Sequence, residues 1–143
     1  MSNTPLEITN LAEEMQDVSQ IKKLNINSWL ITHSVTKDGK LFVTGNWWNG
    51  AYWGGQEMTP YYTQYTHNLN LQSGESIKDM VWIETGTAII LTTKGNVYGF
   101  GRKAYLGINS SSLELTETIK LPIENVKEIT GGKKWFIATK NDG

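Results

Sequence analysis

The chain contains no cysteine. That absence excludes disulfides, thiolate nucleophiles and zinc–thiolate centres together, and it leaves the compartment open, since cytosolic and many extracellular proteins alike do without bridges. Histidine is nearly absent too: His33 and His67 are the only two, with no metal-ligand spacing between them, so no metal site and no cofactor is expected. Charged residues make up only 19% of the chain and the net charge is −1, with lysines scattered along its length. Nucleic acid is therefore not an expected partner, because its binders carry a basic stripe or patch. No segment is apolar for long enough to cross a bilayer, and the opening MSNTPLEITN has neither the basic start nor the apolar run of a signal peptide. The expectation is a soluble chain, not inserted in a membrane, cytoplasmic or virion-associated. At 143 residues it has the length of one domain, 1–143.

What the chain does have is a repeat. HSVTKDGKLFVTGN (33–46), AIILTTKGNVYGFGR (88–102) and WFIATKNDG (135–143) each place an apolar, β-branched run before a polar pair ending in glycine, at Gly39, Gly95 and Gly143. In the first two copies a second β-rich run follows, which predicts hairpins turning at Asp38-Gly39 and Lys94-Gly95, of the type I′ form in which both central residues need positive φ. The match continues into Gly45 and Gly101, then into Ala51-Tyr52-Trp53-Gly54 and Ala104-Tyr105-Leu106-Gly107. Related approaches precede each hairpin at 18–21, 77–81 and 126–129. The turn glycines recur about every 50 residues, a period typical of stacked or radial supersecondary units. The repeats run over approximately 6–56, 69–118 and 119–143, joined by polar linkers at 57–76 and 108–118. One segment reads two ways. Ile8, Leu11, Met15, Val18 and Ile21 fall at helical spacing behind a Thr9 or Asn10 cap, predicting a short helix over 9–24, whereas the repeat puts its second half on a strand.

The units DGKLFVTGN and KGNVYGFGR, followed by YWG and YLG and by the Gly131-Gly132 approach to the next hairpin, resemble the regulator of chromosome condensation (RCC1-like) repeat. Two full copies and one truncated copy are present. The first departs most, with Thr44 where that family usually has an aromatic residue and with a loop lengthened around 47–49. The resemblance implies an all-β fold, a partial β-propeller of antiparallel four-stranded blades. Propellers close into rings of about 4 to 8 blades, which two and a half repeats do not complete. The expectations are accordingly a piece of a longer propeller, or self-association in which the strand at 135–139 pairs near 6–24 of a second copy. Leu41, Val43, Ile90 and Val97, alternating with their neighbours at a period of two, are the predicted core.

Candidate binding residues come from the aromatic clusters. Trp47 and Trp48 lie in GNWWNGAYWGGQ (45–56), inside an insertion that the second copy lacks; Tyr61, Tyr62 and Tyr65, with Gln64 and His67, form a second cluster. Surplus aromatic side chains beside glycines and amides suit protein contact or sugar stacking. Tyr52, Trp53, Tyr105 and Leu106 read as core, and His33 as a structural residue at the entry to its strand. Enzymatic patterns fail. Residues 99–104 (GFGRKA) lie within a hairpin strand without the helix that would hold a pyrophosphate, Glu13, Glu14 and Asp17 read as a solvated face, and no nucleophile has a neighbouring base. The family's nucleotide-exchange activity does not carry over, because no residue here matches its catalytic loop. The function predicted is a non-catalytic binding or scaffold module with a protein partner or with itself. The alternative is a carbohydrate-binding surface of a viral or bacterial surface structure.

Overall fold

The computed structural model describes residues 17–26, 31–45, 63–64, 69–83, 87–109 and 114–143. Among these residues, ten strands form three antiparallel sheets. The first blade is β1 (Ile21–Ile26), β2 (Ile31–Thr36), β3 (Leu41–Gly45) and the short β4 (Thr63–Gln64); the second is β5 (Ile77–Ile83), β6 (Thr87–Thr92), β7 (Val97–Arg102) and β8 (Glu114–Lys120). In both, the order in space is the order in sequence. The third sheet pairs β9 (Val126–Gly131) with β10 (Phe136–Lys140). The chain is thus all-β among its described residues, with helical geometry confined to short 3-10 turns.

Each hairpin turns on its glycine, but not by the two-residue turn anticipated. Gly39 N donates to Thr36 O at 3.0 Å while Thr36 N donates to Lys40 O at 3.0 Å, and the second copy repeats this from Gly95 to Thr92 O and from Thr92 to Asn96 O at 3.0 and 2.9 Å. Only the glycine has positive φ, +81° at Gly39 and +78° at Gly95; Asp38 and Lys94 do not. That geometry is a type I turn closed by a glycine bulge, which needs one left-handed residue rather than the two of type I′. The helix over 9–24 also fails where it can be compared. Val18–Gln20 is a single 3-10 turn, its Asp17 carboxylate accepting from Ser19 N at 2.9 Å, and β1 follows at once; residues 1–16 lie outside the described set. Strand pairing with β2 outweighs the helical spacing of the apolar residues.

The predicted core residues Leu41, Val43, Ile90 and Val97 are 2%, 2%, 0% and 0% exposed. Their alternate neighbours are buried as well, since all six residues of β6 are inaccessible. Period two survives as a division between two cores. Ala88 and Ile90 join Val35, Leu41, Val43, Met80, Trp82 and Phe100 between the first and second blades. Ile89 and Leu91 join Val81, Ile83, Leu121, Val126 and Ile129 between the second and third. The middle sheet is covered on both faces, as a sheet inside a stack of blades must be. Gly99 belongs to this close packing, because a Cβ there would stand 2.6 Å from Leu106 Cδ2.

Repetition extends to the joints. Lys37, Thr93 and Asn141 each donate a backbone N–H to the residue preceding their blade's first strand, Gln20, Ser76 and Asn125, at 2.8, 2.9 and 2.9 Å. Each first strand carries one extra residue where its pairing slips, and in all three it is a lysine: Lys22, Lys78 and Lys127. Lys78 Nζ reaches the next blade and donates to Lys127 O at 2.6 Å.

Candidate functional site

Among the described residues, an apolar surface lies uncovered beside the second core. A groove of about 660 Å³ opens between the outer part of the second blade and the third sheet, with Tyr105, Ile108, Pro122, Ile123, Trp135 and Phe136 on its walls. Its first wall is the 3-10 turn Lys103–Leu106, which ends at Gly107 in the left-handed region (φ 72°), with Leu106 buried beneath it and Tyr105 half-buried at the rim. The second wall follows β8, where Leu121 N donates to Val97 O and Ile123 N to Leu121 O, both at 2.8 Å.

Trp135 supplies the third wall and is 53% exposed, with Ile137 beside it at 56%. No other large hydrophobic residue is exposed among the described residues. The indole lies directly over Gly132, where a Cβ would approach Trp135 Cε2 and Cζ2 to 2.6 Å, and Gly132 N donates to Trp135 O at 2.9 Å. Any side chain at 132 would push the ring away, so the Gly131-Gly132 pair is what lets an indole lie flat at this edge.

The same bond fixes the direction of the β10 backbone. Since Trp135 O faces β9, the polar groups of Ile137 and Thr139 face β9 too, opposite Thr130 and Glu128, and those of Phe136 and Ala138 face away. Among the described residues β10 pairs with β9 alone. Lys133 and Lys134 stand exposed at the Trp135 end of the strand, and the groove walls contain no carboxylate.

A second polar cluster closes the linker over the second blade. Glu75 accepts from Tyr98 OH at 2.6 Å, from Thr92 Oγ1 and Gln72 N at 3.1 Å each, and from Asn96 Nδ2. Burial works to raise its pKa, but these donors outweigh burial and hold the carboxyl below its ordinary value. The Tyr98 phenol is pushed up, first by burial and then by the same bond. With four donors on its two oxygens, this partly buried carboxylate is a latch for the linker.

The sequence-based candidates fall elsewhere. Trp47, Trp48, Tyr61, Tyr62 and Tyr65 lie outside the described residues, as do Tyr52, Trp53 and His67. Gln64 sits in β4 opposite Phe42. His33 is buried with Nε2 3.1 Å from Met80 O, joining the first two blades. Leu106 is core, whereas Tyr105 reaches the groove. Trp135 and Ile137 were not among the sequence-based candidates. In the repeat Trp135 aligns with Thr87 and Ile137 with Ile89, both inaccessible in the second blade. No group of three His, Cys, Asp or Glu residues able to hold a metal occurs among the described residues, and none of their helices is long and apolar enough to cross a membrane.

Three antiparallel blades in sequence order, joined by repeated turn and bulge contacts, define a piece of a β-propeller, and its fold is that of the RCC1-like propellers. Among similar solved structures is human WBSCR16, with a TM-score of 0.63 at 14% identity, over 86% of this chain and 31% of that one. Another is yeast RCC1 (Prp20) with Kap60 bound, with a TM-score of 0.63 at 16% identity, over 87% of this chain and 31% of that one. The chain therefore spans about a third of the length of these two proteins. No protein-family model and no curated protein matches the sequence.

Proposed function

We propose that this chain is a non-catalytic protein-interaction module whose docking element is the apolar groove between the second blade and the third sheet. The observation that carries the reading is the apolar groove between the second blade and the third sheet, with Tyr105 on one wall and Trp135 and Phe136 on another. Aromatic side chains held rigidly over a pocket are the usual anchors of protein interfaces. Yeast RCC1 supports the same direction, since that propeller is known in a complex with a protein, Kap60.

A photo-crosslinking amino acid in place of Lys134 tests this in the source cells. One discrete protein adduct is expected, at least about tenfold weaker when Trp135→Ala is introduced, the loss typical of an aromatic anchor. An adduct unchanged by Trp135→Ala and by Ile137→Ser, or none at all, sinks the proposal.

A further inference from the structure

Among the described residues the first strand stands at the edge of its sheet in all three, and each carries its bulge at the same place. The bulge inserts one residue that no partner opposes: Lys22 after Ile21, Lys78 after Ile77 and Lys127 after Val126. Lysines and bulges protect an edge strand from unwanted pairing, and a lysine anywhere along each strand would serve that end. The placement is narrower. Lys22, Lys78 and Lys127 come together on the walls of one cavity of about 160 Å³, completed by Asp79, Leu91 and Glu128. The edge of β5 is open in this way even though its blade is packed between the first blade and the third sheet, so the cavity belongs to the repeat itself.

We propose that this cavity binds one doubly charged oxyanion, a phosphate or sulfate group, either as the free ion or on a phosphorylated side chain of a partner. The site is separate from the apolar groove and does not depend on it. Three ammonium groups around so small a space repel one another, and an anion among them relieves that repulsion. Lys78 Nζ donates to Lys127 O at 2.6 Å. That bond fixes the Lys78 ammonium at the cavity wall with one of its three N–H groups and leaves two for a ligand. Among the described residues no ion pair joins the three lysines to Asp79 or Glu128. Asp79 Oδ1 accepts instead from Met80 N at 2.7 Å, and Glu128 is exposed to water. The two carboxylates therefore lower the positive charge of the cavity without cancelling it.

The type of cation specifies the ligand. An ammonium is a point charge without the fork by which a guanidinium reads the plane of a carboxylate, so three lysines recognise charge more than shape. Attraction scales with the charge of the ligand, which places phosphate and sulfate ahead of a single carboxylate. Size sets the other limit. The cavity is smaller than the roughly 300 Å³ at which pockets begin to enclose whole small molecules, and it has room for one such group.

Sodium sulfate, phosphate and acetate titrated into the full chain at constant ionic strength test the assignment, with the lysine side-chain NMR signals as the readout. Sulfate and phosphate should shift the Lys22, Lys78 and Lys127 signals saturably, bind at least about threefold more tightly than acetate, and leave Lys133 and Lys134 unmoved. Lys22→Met should weaken sulfate binding at least about threefold, whereas Lys133→Met, outside the cavity, should leave it unchanged. Lys78→Met should weaken it at least as much; should that variant not fold, Lys22→Met decides. A phosphoserine flanked by glycines and blocked at both ends assigns the source. Tighter binding than free phosphate supports a partner's phosphorylated side chain, and equal or weaker binding supports the free ion. Shifts that grow linearly with every anion, acetate included, mean an adventitious ion only and overturn the proposal. Saturable binding that Lys22→Met does not change places the site elsewhere and overturns it as well, as do equal affinities for acetate and sulfate. The groove is tested separately by Trp135→Ala, so either reading fails without the other.

Discussion

Glycine positions with the same backbone angle differ in what surrounds them, and substitution separates the two effects. Gly95 (φ +78°) and Gly107 (φ +72°) both sit in the left-handed region, but a Cβ at 95 meets Val126 N at 3.1 Å and one at 107 meets nothing within 4 Å. Gly107→Ala should therefore cost about 1 kcal/mol for the backbone alone, and Gly95→Ala about 2–3 kcal/mol, because the joint with the third sheet must also open. Urea midpoints of the two variants check this, and equal losses would show that the joint yields freely. Glu75 gives a second residue-scale test. Unfolded glutamate titrates near 4.5 and the folded group below it, so on acidification the unfolded chain takes up the proton first and protonation favours unfolding. Its contribution is complete above about pH 4.5 and is lost as pH falls through the lower folded value. Glu75→Gln should cost about 1–3 kcal/mol at neutral pH, with the difference from the unsubstituted protein narrowing below pH 4.5. A difference that stays constant down to pH 3 would mean that the latch does not depend on the charge.

At the scale of the strand, equivalent residues have opposite surroundings. Ile89 is inaccessible within the second core, whereas Ile137, at the same point of the repeat, is 56% exposed. Ile89→Asp should cost more than about 4 kcal/mol, since it buries an unpaired charge, and Ile137→Asp should stay within about 0.5 kcal/mol. Thermal melts of both variants measure this, and a large loss from Ile137→Asp would reveal a cover over that face. The contrast also explains what could be read beforehand. Alternation in Leu41, Val43, Ile90 and Val97 located the core residues correctly because pleating sends successive side chains to opposite faces. It did not say that both faces were buried, since Ile89 and Leu91 are inaccessible for a reason outside their strand: a neighbouring blade. The turn glycines were legible, but their turn type depends on the bond from Thr36 or Thr92 to the residue beyond the glycine, a choice between registers that Asp-Gly and Lys-Gly leave open. Trp135 was not singled out because its aromatic character suits a core as well as a surface, and only the structure places it on the groove wall.

For the whole molecule, stacked units that touch only their neighbours make stability a sum of local terms and nearest-neighbour joints. The second blade has two such joints among the described residues and the third sheet has one, the core that contains Val126 and Ile129. Exposed and partly exposed residues make up most of β9 and all of β10, against a fully buried β6. Opening of the third sheet alone therefore exposes less apolar surface than opening of the second blade, and the third sheet should open first. Native-state amide exchange is expected to give opening free energies at Ile89 and Leu91 near the global value, and values lower by at least about 2 kcal/mol at Ile137 and Thr139, whose amides face β9. Denaturant dependence adds a second signature, because a local opening exposes less surface and has a smaller m-value than global unfolding. Uniform opening free energies across β6 and β10 would instead show that the blades unfold as one unit, with the joint at Gly95 and Val126 strong enough to couple them.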